Sequence, residues 1–526
     1  MAFQTVIRNG SIVDGSGTVE CFPADIGISD GRIRAIGSLD DVEAVDVIDA
    51  TGHVVAPGFI DVHIHSEVAL LSPDNPGRYG ALKQGVTTQL LAPDGFGWVH
   101  LDATERAEMW EYTAFSTGQA DLGPPWPHAT DYLALFDGNT PANVVPQVPH
   151  LPIRQAVMGW SDRAASADEI AQMKALVREW VDAGAVAFNT GLDYQPVAYA
   201  DTRELIELNA VAAEAGAIYA AHIRYGILGR QQAWRETFEI AEKAGIPVHI
   251  SHENVDDETR PLLEEAAGST DLTFESYCYP AGCTHLAQML PTWAQAGGPD
   301  AVIERLKDSQ LRAELTTYLE DRLTIHESRP AKLVIAANQS GEHIGRTLAD
   351  VAAEQSLPIG EAAIQMLIDE HPYALMVFHR RLSPEQNRSR VRETIAHPMM
   401  MVASDGIYHG GFSHPRSYGC FAQALRLGWR ELGAVTLEEV VHKMSGFPAT
   451  RFKVPYRGFC REGYAADLVI FDPANVADGA TWEAPLAAPT GISRVMVNGV
   501  WVVIDGEPTG LLPGQVLRRQ DWKPSA

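Results

Sequence analysis

Four histidines and one aspartate stand where short apolar segments of the sequence end. His63 and His65 lie two residues apart at the end of one such segment, so an extended backbone points both imidazoles to the same face. His222 and His252 end two later apolar segments, and Asp405 follows the last of them. The His63 and His65 pair alone is equally compatible with ordinary core or surface histidines. The arrival of these five side chains from four separate predicted strands argues against coincidence.

These residue types favour metal chemistry. Imidazole and carboxylate groups are ligands for Zn²⁺ and similar borderline ions. One or two such ions would lower the pKa of bound water from about 15.7 to about 7 and supply hydroxide at neutral pH. Asp405 would then accept the proton of that water and pass it to the leaving group. The pattern predicts a metal-dependent hydrolase in which Asp405 is both a ligand and the general acid/base.

Short motifs in a fixed order extend over nearly the whole chain. They are Ala56–His65, Gln84–Thr88, His222–Arg224, Ile250–His252, Ser404–Gly406, His414–Arg416, Lys443–Ala449, Gly463–Val469 and Val497–Gly499. Together they resemble the amidohydrolase superfamily and, within it, the N-acyl-D-amino-acid deacylase (D-aminoacylase) branch. The resemblance implies a hydrolase that cleaves the amide bond of an N-acyl-D-amino acid or a similar small amide.

The resemblance also adds a ligand. Where the branch places a metal-bridging cysteine after its second strand, this chain has Asp94. A carboxylate can bridge ions as well, although it is a harder ligand than a thiolate. We therefore expect Asp94 to join the metal ligands. The alternative is an aspartate that only caps its own turn around Gly95.

Two further residues are candidates for substrate binding. The guanidinium of Arg416 can hold a substrate carboxylate through paired hydrogen bonds. Its alternative role is a structural salt bridge after the last strand. The hydroxyl of Tyr279 can polarise the scissile carbonyl, and its alternative role is packing beside Pro280.

Two departures from the branch leave the substrate open. Asn254 replaces a lysine of the branch, and Cys283 aligns with a serine. These changes favour a second hypothesis, an amidohydrolase for a cyclic amide or another amide that is not an amino-acid derivative. A third hypothesis, a non-catalytic assembly protein, requires lost metal ligands, and the ligands are present.

The predicted fold is α/β, a (β/α)8 TIM-like barrel spanning residues 57–454, because strand-like and helix-like segments alternate about eight times. Residues 256–371 are less regular and are expected to carry insertions. The predicted barrel strands are 58–62, 86–92, 155–159, 186–190, 218–222, 247–252, 375–379 and 399–404, and two further predicted strands are 272–277 and 332–336.

Both ends of the chain read as short antiparallel strands. Apolar runs joined by Asn-Gly and Asp-Gly pairs are typical of β-hairpins. An isolated hairpin is marginally stable in water. Residues 1–56 and 455–526 are therefore predicted to meet in one small β-sandwich domain.

The 526 residues carry a formal net charge of −28, which disfavours nucleic acid and anionic membranes as partners. The sequence shows neither a signal peptide nor an apolar stretch of membrane-spanning length, so the expected location is the cytoplasm. The expected partner is a small-molecule amide substrate, and the assembly that fits best is a homo-oligomer.

Overall fold

The computed structural model describes residues 3–40, 42–118, 120, 123–323, 332–370 and 374–522. Its strands are β1 (Phe3–Ile12), β2 (Phe22–Ser29), β3 (Arg32–Gly37), β4 (Ala44–Asp49), β5 (Val54–Pro57), β6 (Phe59–Asp61), β7 (Ile64–His65), β8 (Val86–Leu90), β9 (Asn143–Val145), β10 (Val148–Pro149), β11 (Ala187–Gly191), β12 (Ile218–His222), β13 (Val248–Ile250), β14 (Leu272–Ser276), β15 (Ala281–His285), β16 (Lys332–Ala337), β17 (Leu375–His379), β18 (Met400–Val402), β19 (Gly406–Ile407), β20 (Leu468–Phe471), β21 (Ile492–Val497), β22 (Val500–Ile504) and β23 (Glu507–Pro508).

Helices follow most of the central strands. They are α1 (Glu67–Leu71), α2 (Ala103–Thr117), α3 (Ala129–Leu133), α4 (His150–Met158), α5 (Ala167–Asp182), α6 (Thr202–Glu214), α7 (Tyr225–Leu228), α8 (Arg230–Ala244), α9 (Arg260–Ser269), α10 (Pro299–Lys307), α11 (Ser309–Leu323), α12 (Leu348–Glu354), α13 (Ile359–Glu370), α14 (Pro384–Ala396), α15 (Arg416–Gln423), α16 (Leu437–Met444) and α17 (Gly446–Arg451). Capping boxes start α2, α5, α14 and α16, where the N-cap side chain and a Glu or Gln three residues later satisfy free backbone N–H groups. Among the described residues, no helix is both long and apolar enough to cross a membrane.

Strands from both ends of the chain lie in one sheet. Its order is β23-β22-β21-β20-β5-β1-β2-β3, with β4 paired to β1. The two ends meet where β20 runs antiparallel to β5. Asn498 and Gly499, both with positive φ, form the tight turn between β21 and β22, as the Asn-Gly pair predicts. The division of the chain into a terminal β domain and a central barrel stays a prediction.

The central strands are parallel. One sheet has the order β10-β11-β12-β13-β14-β18, a second joins β6, β8 and β9, and β7 pairs with β19. Because all of these strands are parallel to their neighbours, their carboxyl ends point to the same side of each sheet.

Three strand predictions need correction. Residues 155–159 are not a strand, since 150–158 form helix α4 and the strands there are β9 and β10. A short apolar run fits either structure, so periodicity alone did not distinguish them. Residues 375–379 form a strand, but β17 lies between β15 and β16 in a separate antiparallel sheet. Conversely β14, which fell within the predicted insertion, is part of the parallel sheet.

The insertion has its own core. Helices α10 to α13 pack beside the sheet of β15, β17 and β16 around a second cluster of buried apolar side chains, which includes Leu306, Leu319 and Ile364. The larger cluster lies between the parallel strands and their helices. The small sheet also packs into the larger cluster, to which Ala281, Val334 and Val377 belong.

Candidate metal centre

Six side chains converge at the carboxyl ends of the parallel strands, five of them buried and one, His252, partly exposed. We call them the inner cluster: His63, His65, Asp94, His222, His252 and Asp405. His63 follows β6, His65 ends β7, Asp94 lies in the turn after β8, His222 ends β12, His252 follows β13, and Asp405 follows β18. The structure therefore brings together every metal ligand that the sequence predicted. Their role as ligands stays a prediction.

The distances divide the cluster into two overlapping groups around Asp94. His63 Nε2 lies 3.5 Å from Asp94 Oδ1, and His65 Nε2 lies 3.7 Å from Asp94 Oδ2. His222 Nδ1 lies 3.9 Å from Asp94 Oδ1 and 2.9 Å from His252 Nε2. Asp94 therefore stands between the two groups, where a ligand shared by two ions would have to be.

Asp405 lies on the side of the first pair of histidines. Its Oδ1 is 3.6 Å from His63 Nε2 and 3.4 Å from His65 Nε2. One carboxylate thus faces both imidazoles of that pair.

The cluster fits a divalent cation. His63 Nε2 and Asp94 Oδ1 are buried and make no hydrogen bond to any described residue. Buried polar atoms without a partner are costly in a folded protein. Imidazole nitrogens and carboxylate oxygens are also a donor set that suits Zn²⁺. The unpaired atoms are accounted for if an ion binds between them.

Buried acids behind the cluster hold the imidazoles in place. Glu275 Oε1 lies 2.9 Å from His63 Nδ1 and also accepts a hydrogen bond from the backbone of His252 at 2.9 Å. Asp193 Oδ2 lies 3.1 Å from His222 Nε2. Carboxylates in this position fix the ring orientation of metal-binding histidines.

Sequence reasoning did not identify Glu275 or Asp193. One signal for Glu275 was available, because it is an acid within the otherwise apolar or neutral strand β14. Asp193 gave no comparable signal, since it stands in a loop after β11.

The electrostatics of the cluster favour positive charge. Burial opposes protonation of His63, but the carboxylates of Asp94 and Asp405 raise its pKa well above the usual value. Burial would raise the pKa of Asp94, yet His63 and the other imidazoles lower it to about 2. Burial and the neighbouring His222 lower the pKa of His252 to about 4. The two acids are thus ionised at neutral pH and attract a proton on His63 or a cation.

The backbone at the cluster adopts an unusual conformation. Asp94, His252 and Asp405 have φ values of 54°, 41° and 48°. Side chains other than glycine rarely adopt this left-handed region, and such positions concentrate at functional sites. The turns at these three residues thus direct their side chains into the cluster, and their positive φ values strain the backbone.

Arg416 lies at the first residue of α15 and is fully buried. Its Nη2 is 2.8 Å from Asp405 Oδ2, and its guanidinium stacks on the ring of Tyr277 at 4.6 Å. Its Nε and Nη1 make no hydrogen bond to any described residue. Arg416 therefore makes the structural salt bridge that was its alternative role. Its two remaining N–H groups are also available to bind a substrate carboxylate.

A cavity of about 710 Å³ opens from the inner cluster. His65, Asp94, His222, His252 and Asp405 line its inner end. Tyr277 and Cys283 are also in the lining, whereas Tyr279 and Arg416 are not. The buried hydroxyl of Tyr279 lies beside Gly419. Of the two tyrosines, Tyr277 is the one that faces the cavity.

Comparisons with known proteins agree with this geometry. The model of the Amidohydrolase family matches residues 46–503. D-aminoacylase of Alcaligenes xylosoxydans xylosoxydans is 33% identical over 98% of this chain and 98% of its own length. N-acyl-D-aspartate deacylase of the same organism is 33% identical over 99% of this chain and 96% of its own length.

Solved structures give the same result. One is the crystal structure of N-acyl-D-glutamate deacylase from Bordetella bronchiseptica, complexed with zinc and a phosphonate inhibitor. It matches with a TM-score of 0.81 at 30% sequence identity, and the match covers 98% of this chain and 100% of that chain. A structure of D-aminoacylase, an enzyme with a binuclear metal centre, matches with a TM-score of 0.80 at 31% sequence identity and the same coverage. The predicted membership is confirmed, and the chain belongs to the amidohydrolase family, in the branch that contains D-aminoacylase and the N-acyl-D-amino-acid deacylases.

Proposed function

We propose that this protein is a metal-dependent hydrolase that cleaves the amide bond of an N-acyl-D-amino acid. The observation that carries the proposal is the inner cluster. Its ligand atoms converge from different strands, and two of them, His63 Nε2 and Asp94 Oδ1, are buried without a hydrogen bond to any described residue. The chain is also similar over its full length to enzymes with this activity. In this proposal the cluster holds one or two divalent ions, with Zn²⁺ as the expected metal. The parallel strands form the (β/α)8 barrel, and the terminal sheet forms the small β domain beside it.

An ion held by the cluster supplies a water of lowered pKa and an electrophile for the amide carbonyl. The chain supplies the proton transfer. Burial disfavours the charge of Asp405, but Arg416 and His63 outweigh it and hold the pKa of Asp405 well below its usual range. Asp405 is therefore an ionised base at neutral pH, in contact with both His63 and His65. It accepts a proton from water and donates it to the leaving amine.

Arg416 orients the substrate. Its unpaired Nε and Nη1 are buried donors beside Asp405. A carboxylate of an amino acid that reaches them forms charge-assisted hydrogen bonds and places the amide next to the proton carrier. Tyr277 supports the guanidinium through its ring face. Carbonyl polarisation by Tyr279 stays a prediction; its hydroxyl lies beside Gly419, and neither Tyr279 nor Arg416 is in the cavity lining.

The test is a substrate panel on protein stripped of metal with a chelator and reloaded with Zn²⁺. We expect hydrolysis of N-acetyl-D-amino acids that depends on zinc, and much slower hydrolysis of the L-enantiomers. The metal-free protein is the control. Turnover of a cyclic amide such as hydantoin, without turnover of any N-acyl amino acid, would support the second hypothesis and overturn this one.

A further inference from the structure

The outer half of the cavity differs in chemistry from the inner cluster. Apolar side chains from four separate segments line it, namely Ile227, Met289, Leu290, Leu333 and Phe378. Leu333 and Phe378 are register partners in the small sheet. The insertion thus supplies an apolar wall that continues from the inner cluster toward the mouth.

Large exposed apolar side chains lie in the lining or next to lining residues in the sequence. Ile227 and Tyr318 belong to the lining and are 39% and 38% exposed. Trp293 stands between the lining residues Thr292 and Gln295 and is 45% exposed, and Leu228, next to Ile227, is 40% exposed. Exposed apolar surface that is continuous with a cavity marks a binding surface for an apolar group.

Three arginines also line the cavity: Arg230, Arg322 and Arg380. The guanidinium of Arg230 is 2.8 Å from Asp256 Oδ2 and 3.7 Å from Glu253 Oε1, so its charge is matched within the protein. Arg322 Nη1 donates a hydrogen bond to the hydroxyl of Tyr318. The apolar wall therefore stands beside cationic side chains, and an anionic acyl group such as succinyl is the alternative that the kinetic test below separates.

The direction of the substrate follows from Arg416. Its guanidinium is fully buried behind Asp405, which belongs to the lining at the inner end of the cavity. If the amino-acid carboxylate binds there, the other substituent of the amide points toward the mouth. That substituent is the acyl group. A cavity of about 710 Å³ is sized for a ligand much larger than an N-acetyl amino acid.

We propose that the outer half of the cavity binds a long aliphatic acyl chain, which makes the substrate a fatty-acyl derivative of an amino acid. This inference rests on the proposed function and adds the class of acyl group. The chain runs along Leu333 and Phe378 and leaves the protein between Ile227 and Trp293.

Binding of the acyl product alone tests the channel without turnover. Titration of the zinc-loaded protein with dodecanoate and with butanoate should give a Kd for dodecanoate lower by about 100-fold or more, because each buried methylene favours binding. The double variant Ile227→Ser/Trp293→Ser should weaken dodecanoate binding about tenfold and change butanoate binding less than about twofold. Both side chains are exposed, so neither change removes a core contact.

The matched control is Val45→Ser, since Val45 is 88% exposed on the distant strand β4. An equal loss of dodecanoate binding in this variant would show non-specific adsorption and overturn the proposal. Equal affinities for the two acids would also overturn it.

Kinetics separate this inference from the proposed function. With acetyl, butanoyl, octanoyl and dodecanoyl derivatives of one D-amino acid, kept below the concentration at which they self-associate, kcat/KM should rise with chain length. Hydrolysis with no dependence on chain length, or a preference for a succinyl group, overturns the acyl channel and leaves the deacylase. Tight binding of dodecanoate without hydrolysis of any derivative supports the channel and overturns the deacylase.

Discussion

Two regions of the molecule bury histidines in opposite surroundings. In the inner cluster, His63 contacts Glu275 and lies near Asp94 and Asp405. In a layer of aromatic rings behind β15, His285 stacks on Phe115 with ring centroids 4.4 Å apart, and neither ring nitrogen has a hydrogen-bond partner among the described residues. We call this second region the aromatic layer; Tyr112 and Tyr194 complete it.

The difference shows what burial alone does to an imidazole. Burial lowers the pKa of His285 to about 3, and no charged group opposes it. Burial acts on His63 in the same direction, but the neighbouring carboxylates raise its pKa well above the usual value. The inner cluster is therefore arranged to hold positive charge, whereas the aromatic layer keeps its histidine neutral.

Removing the proton carrier should produce the largest effect. Asp405→Asn keeps the shape and one ligand oxygen but removes the base, so kcat should fall by about 10²–10⁴-fold on the best N-acyl-D-amino acid. Metal content, measured by atomic emission after dialysis, should largely survive. A near-normal kcat in this variant would show that another group carries the proton.

Removing the central carboxylate should change the metal stoichiometry. Asp94 lies within ligand distance of both groups of the cluster, so Asp94→Ala should weaken binding of at least one ion, by roughly 10-fold or more. Competition with a chelating dye measures the affinity of each ion. Asp94→Cys is the matched control, since a thiolate is also a zinc ligand and should restore binding. Unchanged stoichiometry and affinity in Asp94→Ala would leave Asp94 with only its turn-capping role.

Neutralising the acid behind His63 should have a smaller effect. Glu275→Gln keeps an acceptor for His63 Nδ1 but removes the charge, and loss of such support typically costs about 10- to 100-fold in metal affinity or activity. Zinc affinity should fall while the KM at saturating zinc changes little. Thr273→Val is the control, because the Thr273 hydroxyl lies 2.8 Å from Nδ1 of His249, the other histidine beside Glu275, and makes no hydrogen bond to the inner cluster among the described residues. An equal loss in both variants would indicate general disruption of this part of the sheet.

These residues also show how far the sequence could be read. The inner cluster was predictable because parallel strands bring their carboxyl ends together, so residue types at strand ends were sufficient to find it. Asp94 required the family resemblance as well. Glu275 was missed because its partner His63 is 212 positions away, and one sequence does not reveal which buried groups meet. Strand β17 was predicted in the barrel and lies in the small antiparallel sheet, because the residues of a strand do not determine which strands it pairs with.

The aromatic layer gives the last and smallest prediction. His285→Phe removes two unpaired ring nitrogens and keeps a ring of similar shape against Phe115, so the variant should be more stable at pH 7 by about 1–3 kcal/mol. His150→Phe is the matched control. His150 is equally buried, but its nitrogens lie 2.9 Å from Thr190 Oγ1 and 3.0 Å from Glu204 Oε1, so this change should destabilise the protein.

The gain from His285→Phe should also depend on pH. The folded protein holds His285 at a pKa of about 3, whereas an unfolded chain has a value near 6.5. Between about pH 6.5 and 3 the unfolded state therefore binds more protons, and the wild type loses stability as the pH falls. The variant lacks this loss, so its advantage in urea unfolding should grow by about 1.4 kcal/mol for each pH unit below 6.5. An advantage that stays constant from pH 7 to pH 5 would mean that His285 gains a proton or a partner in the folded protein.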